Sequence, residues 1–444
     1  MTNNETYIAS CLEICKTRLV NFSNVADVKE ALVDLNAYEN LDSLTAPKDV
    51  QILDELSENE INQAKQCILD GRFFAEHAAA GEATRLGLGT KYLINIKERL
   101  SEVKIAKLIS IGKGEEITKE QVIKEAGCKP EELLSMDLGT RHMLAYSFAI
   151  YNLAVESSLN PKEVLSRQKM LIILNSKTAE QIISSFENYN FFGFLRENVY
   201  FMVQRRYHGI NLLDGNLGYD IKSPKRLHNH GQMVMQETMD DEIFFVSEDG
   251  SKIFLKSAEF EDVLEKMDDK QSFNIEDLAF LINAIDYKSL AFALEGGKKG
   301  YRMVMEIVAN NPKAPQKGGM AAFDKKIGRN VMIESFQLKG VKNEDIKYLN
   351  KNFNHYPRPS ESYRQLKKKG LNMPFAIKKN HIYFEPVQGD INFLVKTEFV
   401  KRKVLKPIIS WKSSATTPLA IKYMKKQDDI PGFVEYISKF SQSR

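Results

Sequence analysis

The sequence predicts an α/β fold built on a mixed, mostly parallel central sheet, with a helical N-terminal part and a small C-terminal domain. Three observations predict it. Met170-Leu171-Ile172-Ile173-Leu174 is apolar throughout, as a strand covered on both faces should be. Ala179, Ile182, Ile183 and Phe186 then keep helical spacing, and a second apolar run follows at Val199-Tyr200-Phe201-Met202-Val203. Strand, helix and strand at this spacing make a βαβ unit, which requires a parallel pair.

Taken in order, residues 1–70 read as helical. Ser57-Glu58-Asn59-Glu60 has the form of a capping box, and Gly71 closes that helix. Residues 72–80 read as a buried strand running into the loop 81–91. Residues 139–158 make a long helix that stops before Asn160-Pro161. Asn175-Ser176-Lys177-Thr178 supplies a cap for the next helix, and Gly193 marks its end. Ala279 to Ile285 reads as another buried strand, delivering Asp286 at its C-terminal end. Further strands are expected over 301–309, 320–323 and 331–336. Past residue 385 the chain turns basic, with Lys401-Arg402-Lys403 and Lys425-Lys426, and ends in a helix. The expected units are 1–70 (helical), 71–385 (α/β core) and 386–444 (C-terminal).

Composition removes several function classes. With 444 residues, 43% hydrophobic and 27% charged, the chain can bury a large core. Its 62 basic and 59 acidic residues nearly cancel, which argues against a dedicated nucleic-acid binder. Cys11, Cys15, Cys67 and Cys128 include no CxxC pair, so reduced thiols are expected rather than a zinc ribbon or a redox pair. The opening MTNNETYIAS lacks a basic region followed by an apolar one, and no run approaches the length of a membrane span. A cytoplasmic protein with neither a membrane nor a nucleic-acid partner is expected.

The strongest chemical feature is the loop after the first core strand, Gly81-Glu82-Ala83-Thr84-Arg85-Leu86-Gly87-Leu88-Gly89-Thr90-Lys91. Glycines there let backbone N–H groups approach a phosphate, and Arg85 and Lys91 add two cations. A turn that simply needs glycine has the same look. The residues are more telling than the spacing. Gly81 to Gly87, with Lys91, resembles the L-A-G-G-x-G-T-R-L-G…P-K signature of the eukaryote-type UDP-sugar pyrophosphorylases. That family includes UTP–glucose-1-phosphate uridylyltransferases and UDP-N-acetylglucosamine pyrophosphorylases. Leu174-Asn175-Ser176-Lys177-Thr178 is similar to its M-T-S-x-x-T, and Asn198-Val199-Tyr200-Phe201-Met202-Val203-Gln204 to its N-V-x-F-F-x-Q. His228-Asn229-His230-Gly231 resembles the uridine loop, Ile285-Asp286 the metal-binding V-D, and Val331-Met332-Ile333-Glu334-Ser335 the V-V-E-Y-S stretch. Asn350 to Tyr356 is similar to the F-N-x-x-N segment and Trp411-Lys412-Ser413-Ser414 to the late lysine motif.

The resemblance implies a fold of the nucleotide-diphospho-sugar transferase type. It implies that UTP and a hexose 1-phosphate become a UDP-sugar and pyrophosphate. Ala80, Gly81, Glu82 and Thr84 would hold the nucleotide, while Arg85, Lys91 and Lys412 would neutralise its phosphates. Gln204, Asn229, His230 and Gly231 would select uracil, Glu334 and Asn352 would hold the sugar, and Asp286 would bind Mg²⁺. Lys317-Gly318-Gly319 and the His230 loop favour glucose 1-phosphate and Asn354-His355-Tyr356 the N-acetylglucosamine sugar; glucose 1-phosphate is the expected substrate, with N-acetylglucosamine 1-phosphate as the alternative. Ala80 and Ala83 stand where the family has glycine and Thr90 where it has proline, which keeps open a silent UDP-sugar binding protein. Other readings stand beside these. Asp286 also suits a helix cap, Glu334 an exposed strand position, and Lys403 or Lys406 the place given to Lys412.

Overall fold

The computed structural model describes residues 3–82, 88–313, 315–403 and 409–441. One large mixed sheet organises them. Across its middle run Tyr348–Pro357, Asp269–Asn274, Phe73–Ala78, Lys169–Asn175, Val199–Gln204 and Ile243–Val246, in that spatial order. The four strands from Asp269–Asn274 to Val199–Gln204 are mutually parallel, and the flanking two are antiparallel to them. The expected βαβ unit is therefore present, with helix Ala179–Asn188 as its crossover.

The apolar run of Lys169–Asn175 is explained by the period of a strand. Met170, Ile172 and Leu174 enter one core, with helix Leu138–Glu156 and the helices Thr417–Asp428 and Phe433–Ser441. Leu171 and Ile173 enter another, with Phe260 and Leu264 of helix Ser257–Glu265 and with Tyr363. Alternate side chains point to opposite faces, and both faces are covered. A smaller antiparallel sheet, Phe375–Lys378, His381–Phe384, Ile210–Leu213 and Asn216–Tyr219, packs with the first helix, Asn3–Arg18.

The capping box at Ser57 is complete: its hydroxyl accepts from Glu60 N, and Glu60 accepts from Ser57 N. Other expectations change. Residues 279–285 are not a strand. Only a 3-10 turn, Ala279–Leu281, forms there, and Asp286 starts helix Tyr287–Lys298. The core strand is Asp269–Asn274, a polar sequence without an apolar run. Thr178 sits at the start of Ala179–Asn188 but makes no side-chain cap; Asn175 turns its amide to Ala80 and Thr90 instead. The boundaries at 70 and 385 do not separate sheets. Gln51–Ile52 and Thr397–Lys401 pair with each other in the main sheet, and the last two helices share the core of Leu138–Glu156. All four cysteines are free and buried. No helix among the described residues is long and apolar enough to cross a membrane.

Candidate active site

The parallel strands end together. Ala78 stands beside Ile173 and Asn274, and Asn175 beside Gln204, so the turns after these strands lie along one sheet edge. In open α/β sheets ligands bind outside this edge. The loop after Phe73–Ala78 is pinched at its neck. Lys91 N donates to Gly81 O at 3.0 Å, and Glu82 and Thr90 form an antiparallel bridge. Asn175 Nδ2 donates to Ala80 O and to Thr90 Oγ1, each at 3.2 Å. These bonds tie the loop to the neighbouring strand end. Thr90 uses its hydroxyl for this tie.

Ala80 is buried and keeps φ outside the left-handed region, so at this position alanine costs no backbone strain. Gly81 also avoids positive φ, and a Cβ there would meet nothing within 4 Å among the described residues. Thr84 and Arg85, like Ala83, lie outside the described residues.

Lys91 is buried, and its ammonium pairs with Glu276, whose side chain is 20% exposed. Glu276 comes from the turn after Asp269–Asn274, where Asn274 Oδ1 accepts from Glu276 N at 3.1 Å. The C-terminal segment docks on this same turn. Leu278 N donates to Ile409 O, Asp277 bridges to Ser410, and Trp411 N donates to Glu276 O at 3.0 Å. The Trp411 ring is fully buried, with its Nε1 on Thr417 Oγ1 at 3.1 Å. Lys412 is exposed and directly follows this docked residue in the chain.

Asp286 has another role. Its Oδ1 accepts from Ser289 N at 3.2 Å as a helix cap, and its Oδ2 accepts from Arg402 Nη2 at 2.6 Å. Arg402 and Lys351 also engage Glu306. With Asp277 these groups line a cavity of about 110 Å³ on the flank of the 274–277 turn. Burial pushes the Asp277 carboxyl up to about 6. Among the described residues no three His, Cys, Asp or Glu side chains gather as a metal would need. A carboxylate shared with a guanidinium does not fit a divalent ion on its own.

Sequence reasoning missed Glu276, Asp277 and Arg402. Glu276 and Asp277 were within reach, because they end a βα connection. The polar strand that carries them gave no apolar run to mark it.

Three of the remaining candidates reach a cleft of about 780 Å³. Asn229, His230 and Glu334 line it together, as do Arg206, Lys225, Arg226 and Lys378. Arg206 pairs with Glu82 at 3.0 Å, joining the cleft to the mouth of the loop. Lys177 approaches the same carboxylate at 3.6 Å. Gln204 ends its strand at the same edge, its amide against the Met233 thioether.

Gly231 opens helix Gly231–Gln236, and its N–H donates to Pro386 O at 2.9 Å. A Cβ there would lie 2.4 Å from the Pro386 backbone, so close approach requires this glycine. Asn229 takes φ of 55°, which asparagine tolerates better than most residues. Beneath the loop, His228 is buried with its Nδ1 2.9 Å from the Tyr7 hydroxyl, and burial pushes it down to about 4. His228 is a neutral packing residue. Burial raises the Glu334 carboxyl as well. Asn352 lies on Tyr348–Pro357, and its side chain falls outside the described residues.

No family model matches the chain, and no curated protein matches it by sequence. Solved structures do match. A UDP-N-acetylglucosamine pyrophosphorylase from Trypanosoma brucei, in complex with an inhibitor, superimposes with a TM-score of 0.57 at 13% identity, covering 93% of this chain and 84% of that one. A point mutant of UDP-glucose pyrophosphorylase from Leishmania major gives 0.56 at 13% identity, covering 90% and 73%. A second point mutant of that protein, in complex with UDP-glucose, gives 0.53 at 12%, covering 93% and 78%. The chain has the fold of these structures.

Proposed function

We propose that this protein is a uridylyltransferase that joins UTP to a hexose 1-phosphate, releasing pyrophosphate. One observation carries the reading. A buried lysine, the loop neck closed by Lys91 N on Gly81 O and the docked segment before Lys412 meet at one strand edge, and Glu82–Arg206 links that edge to the cleft of Asn229, His230 and Glu334. The shared fold with pyrophosphorylase structures supports it, as do the family-like motifs in order along the chain.

In this reaction the sugar-phosphate oxygen attacks the α-phosphorus of UTP in line, and the bond to pyrophosphate breaks. The nucleophile is already an anion, so no protein base is needed. The site has to bring two anions together and neutralise them. Lys91 does this at the loop neck, exchanging Glu276 for phosphate oxygens, with Lys412 and Arg85 as further cations. Mg²⁺ arrives with the triphosphate, as part of the UTP substrate. Gln204, Asn229, His230 and Gly231 form the uracil side, and Glu334 with Asn352 the sugar side. A cytoplasmic location accords with four unpaired, buried thiols.

The test is pyrophosphate release by purified protein given UTP, Mg²⁺ and a panel of sugar 1-phosphates. Release with at least one sugar is expected. Lys91→Met should lower kcat by about 10²- to 10³-fold, in line with losing one charge-stabilising group. Tight UDP-sugar binding with no release in either direction would make the protein a silent binder.

A further inference from the structure

The charges around the large cleft are not balanced. Its lining carries four cations, Arg206, Lys225, Arg226 and Lys378, against two carboxylates, Glu334 and Glu385. Two of the cations are already engaged: Arg206 with Glu82 and Lys378 with Glu385, at 3.0 and 3.4 Å. That leaves Lys225 and Arg226, adjacent in sequence, which form no salt bridge among the described residues.

Arg226 is held rather than loose. Its backbone N and O both bond to Tyr207, each at 2.8 Å, and its guanidinium lies 5.7 Å from the centre of the Tyr383 ring. Its Nε is buried and has no hydrogen-bond partner among the described residues. A buried donor without a partner is destabilising, and a ligand that accepts the bond relieves that penalty. A planar guanidinium fixed on an aromatic ring suits a planar anion, to which it donates two parallel bonds. The phosphate-facing cation, Lys91, is elsewhere, at the loop neck. The cleft therefore holds a second anchor for an anion, among the residues that line it with Glu334.

We propose that the sugar 1-phosphate taken by this cleft carries an acidic substituent, a hexuronic acid 1-phosphate in place of neutral glucose 1-phosphate. This rests on the uridylyltransfer reading and replaces the leaning toward glucose drawn from the sequence. The carboxylate of the sugar accepts from Arg226, with Lys225 adding charge at the rim.

The experiment measures kcat/KM for pyrophosphate release with UTP, Mg²⁺ and either glucuronic acid 1-phosphate or glucose 1-phosphate. The wild-type ratio is expected to favour the acidic sugar by about tenfold or more, as a charge-assisted pair requires. Arg226→Gln should bring that ratio toward one through loss on the acidic substrate, with partial return in Arg226→Lys. Lys225→Gln, at an exposed position, should lower the ratio less and without risk to the fold. Equal or better turnover of glucose 1-phosphate by the wild type overturns the proposal, and so does an unchanged ratio in Arg226→Gln. If no sugar releases pyrophosphate, the catalytic reading fails. Calorimetry with UDP-glucuronic acid and UDP-glucose then decides the cleft alone. Tighter binding of the acidic nucleotide sugar upholds it, and equal or absent binding overturns it.

Discussion

Two neighbouring halves of one sheet are held together by different physics. Lys169–Asn175 and Val199–Gln204 bury aliphatic and aromatic side chains on both faces, with little polar content to satisfy. Next to them, Phe73–Ala78, Asp269–Asn274 and Tyr348–Pro357 bury charge. Lys270 is enclosed by Glu76 and Glu237, and Asp269 meets His355 Nδ1 at 2.5 Å, with His355 Nε2 on Ser289 Oγ at 2.8 Å. Burial works against the Lys270 charge, but its two carboxylates hold its pKa above the usual lysine range. Burial raises the Glu237 carboxyl, while Lys270 holds Glu76 below the usual carboxylate range. The apolar half is tolerant and additive. The ionic half is conditional, because each charge needs its partner.

Breaking the ionic half should give the largest change. Lys270→Met leaves two carboxyls buried without their cation and should cost about 3–5 kcal/mol in urea unfolding. A loss under about 1 kcal/mol would mean the triad is dispensable. Gly231→Ala, which pushes a methyl into the Pro386 backbone, should cost about 1–3 kcal/mol and weaken nucleotide-sugar binding together with stability.

Acid is a gentler probe of the same contrast. Burial pushes His77 down to about 3 and His142 well below its ordinary range, and neither ring nitrogen of either residue has a hydrogen-bond partner among the described residues. With His228 at about 4, all three stay neutral when folded but protonate near 6.5 when unfolded. The unfolded state then binds more protons below that value. Stability should be full above about pH 6.5 and fall toward pH 4, by up to roughly 1.4 kcal/mol per unit for each ring. His77→Phe should flatten that slope without lowering the urea midpoint at pH 7, and an unchanged slope would remove His77 from the account. The smallest effect belongs to the apolar half: Ile172→Val should cost only about 0.5–1.5 kcal/mol and show no pH dependence.

The same contrast explains what could be read from the sequence. The apolar half announced itself as two hydrophobic runs around an amphipathic helix, and the loop 81–91 followed from the strand that feeds it. Asp269-Lys270-Gln271-Ser272-Phe273-Asn274 gave no such sign, because what makes it a core strand is partners far away in sequence: Glu76, Glu237 and His355. Without that strand, the apolar residues 279–285 took its place ahead of Asp286. In the structure Asp286 faces Arg402, and the turn carrying Glu276 and Asp277 occupies the strand end instead. The 228–231 loop and Glu334 were legible as motifs, but their common cleft depended on the small sheet, whose strands come from two distant parts of the chain.

Trp411 has a consequence for how the molecule is made. A ribosome that has just passed Glu276 has produced the loop and the parallel strand ends, yet the segment that settles on Glu276 is still to be translated. Nascent chains therefore leave Glu276 without its C-terminal partner until that tryptophan emerges and finds its seat.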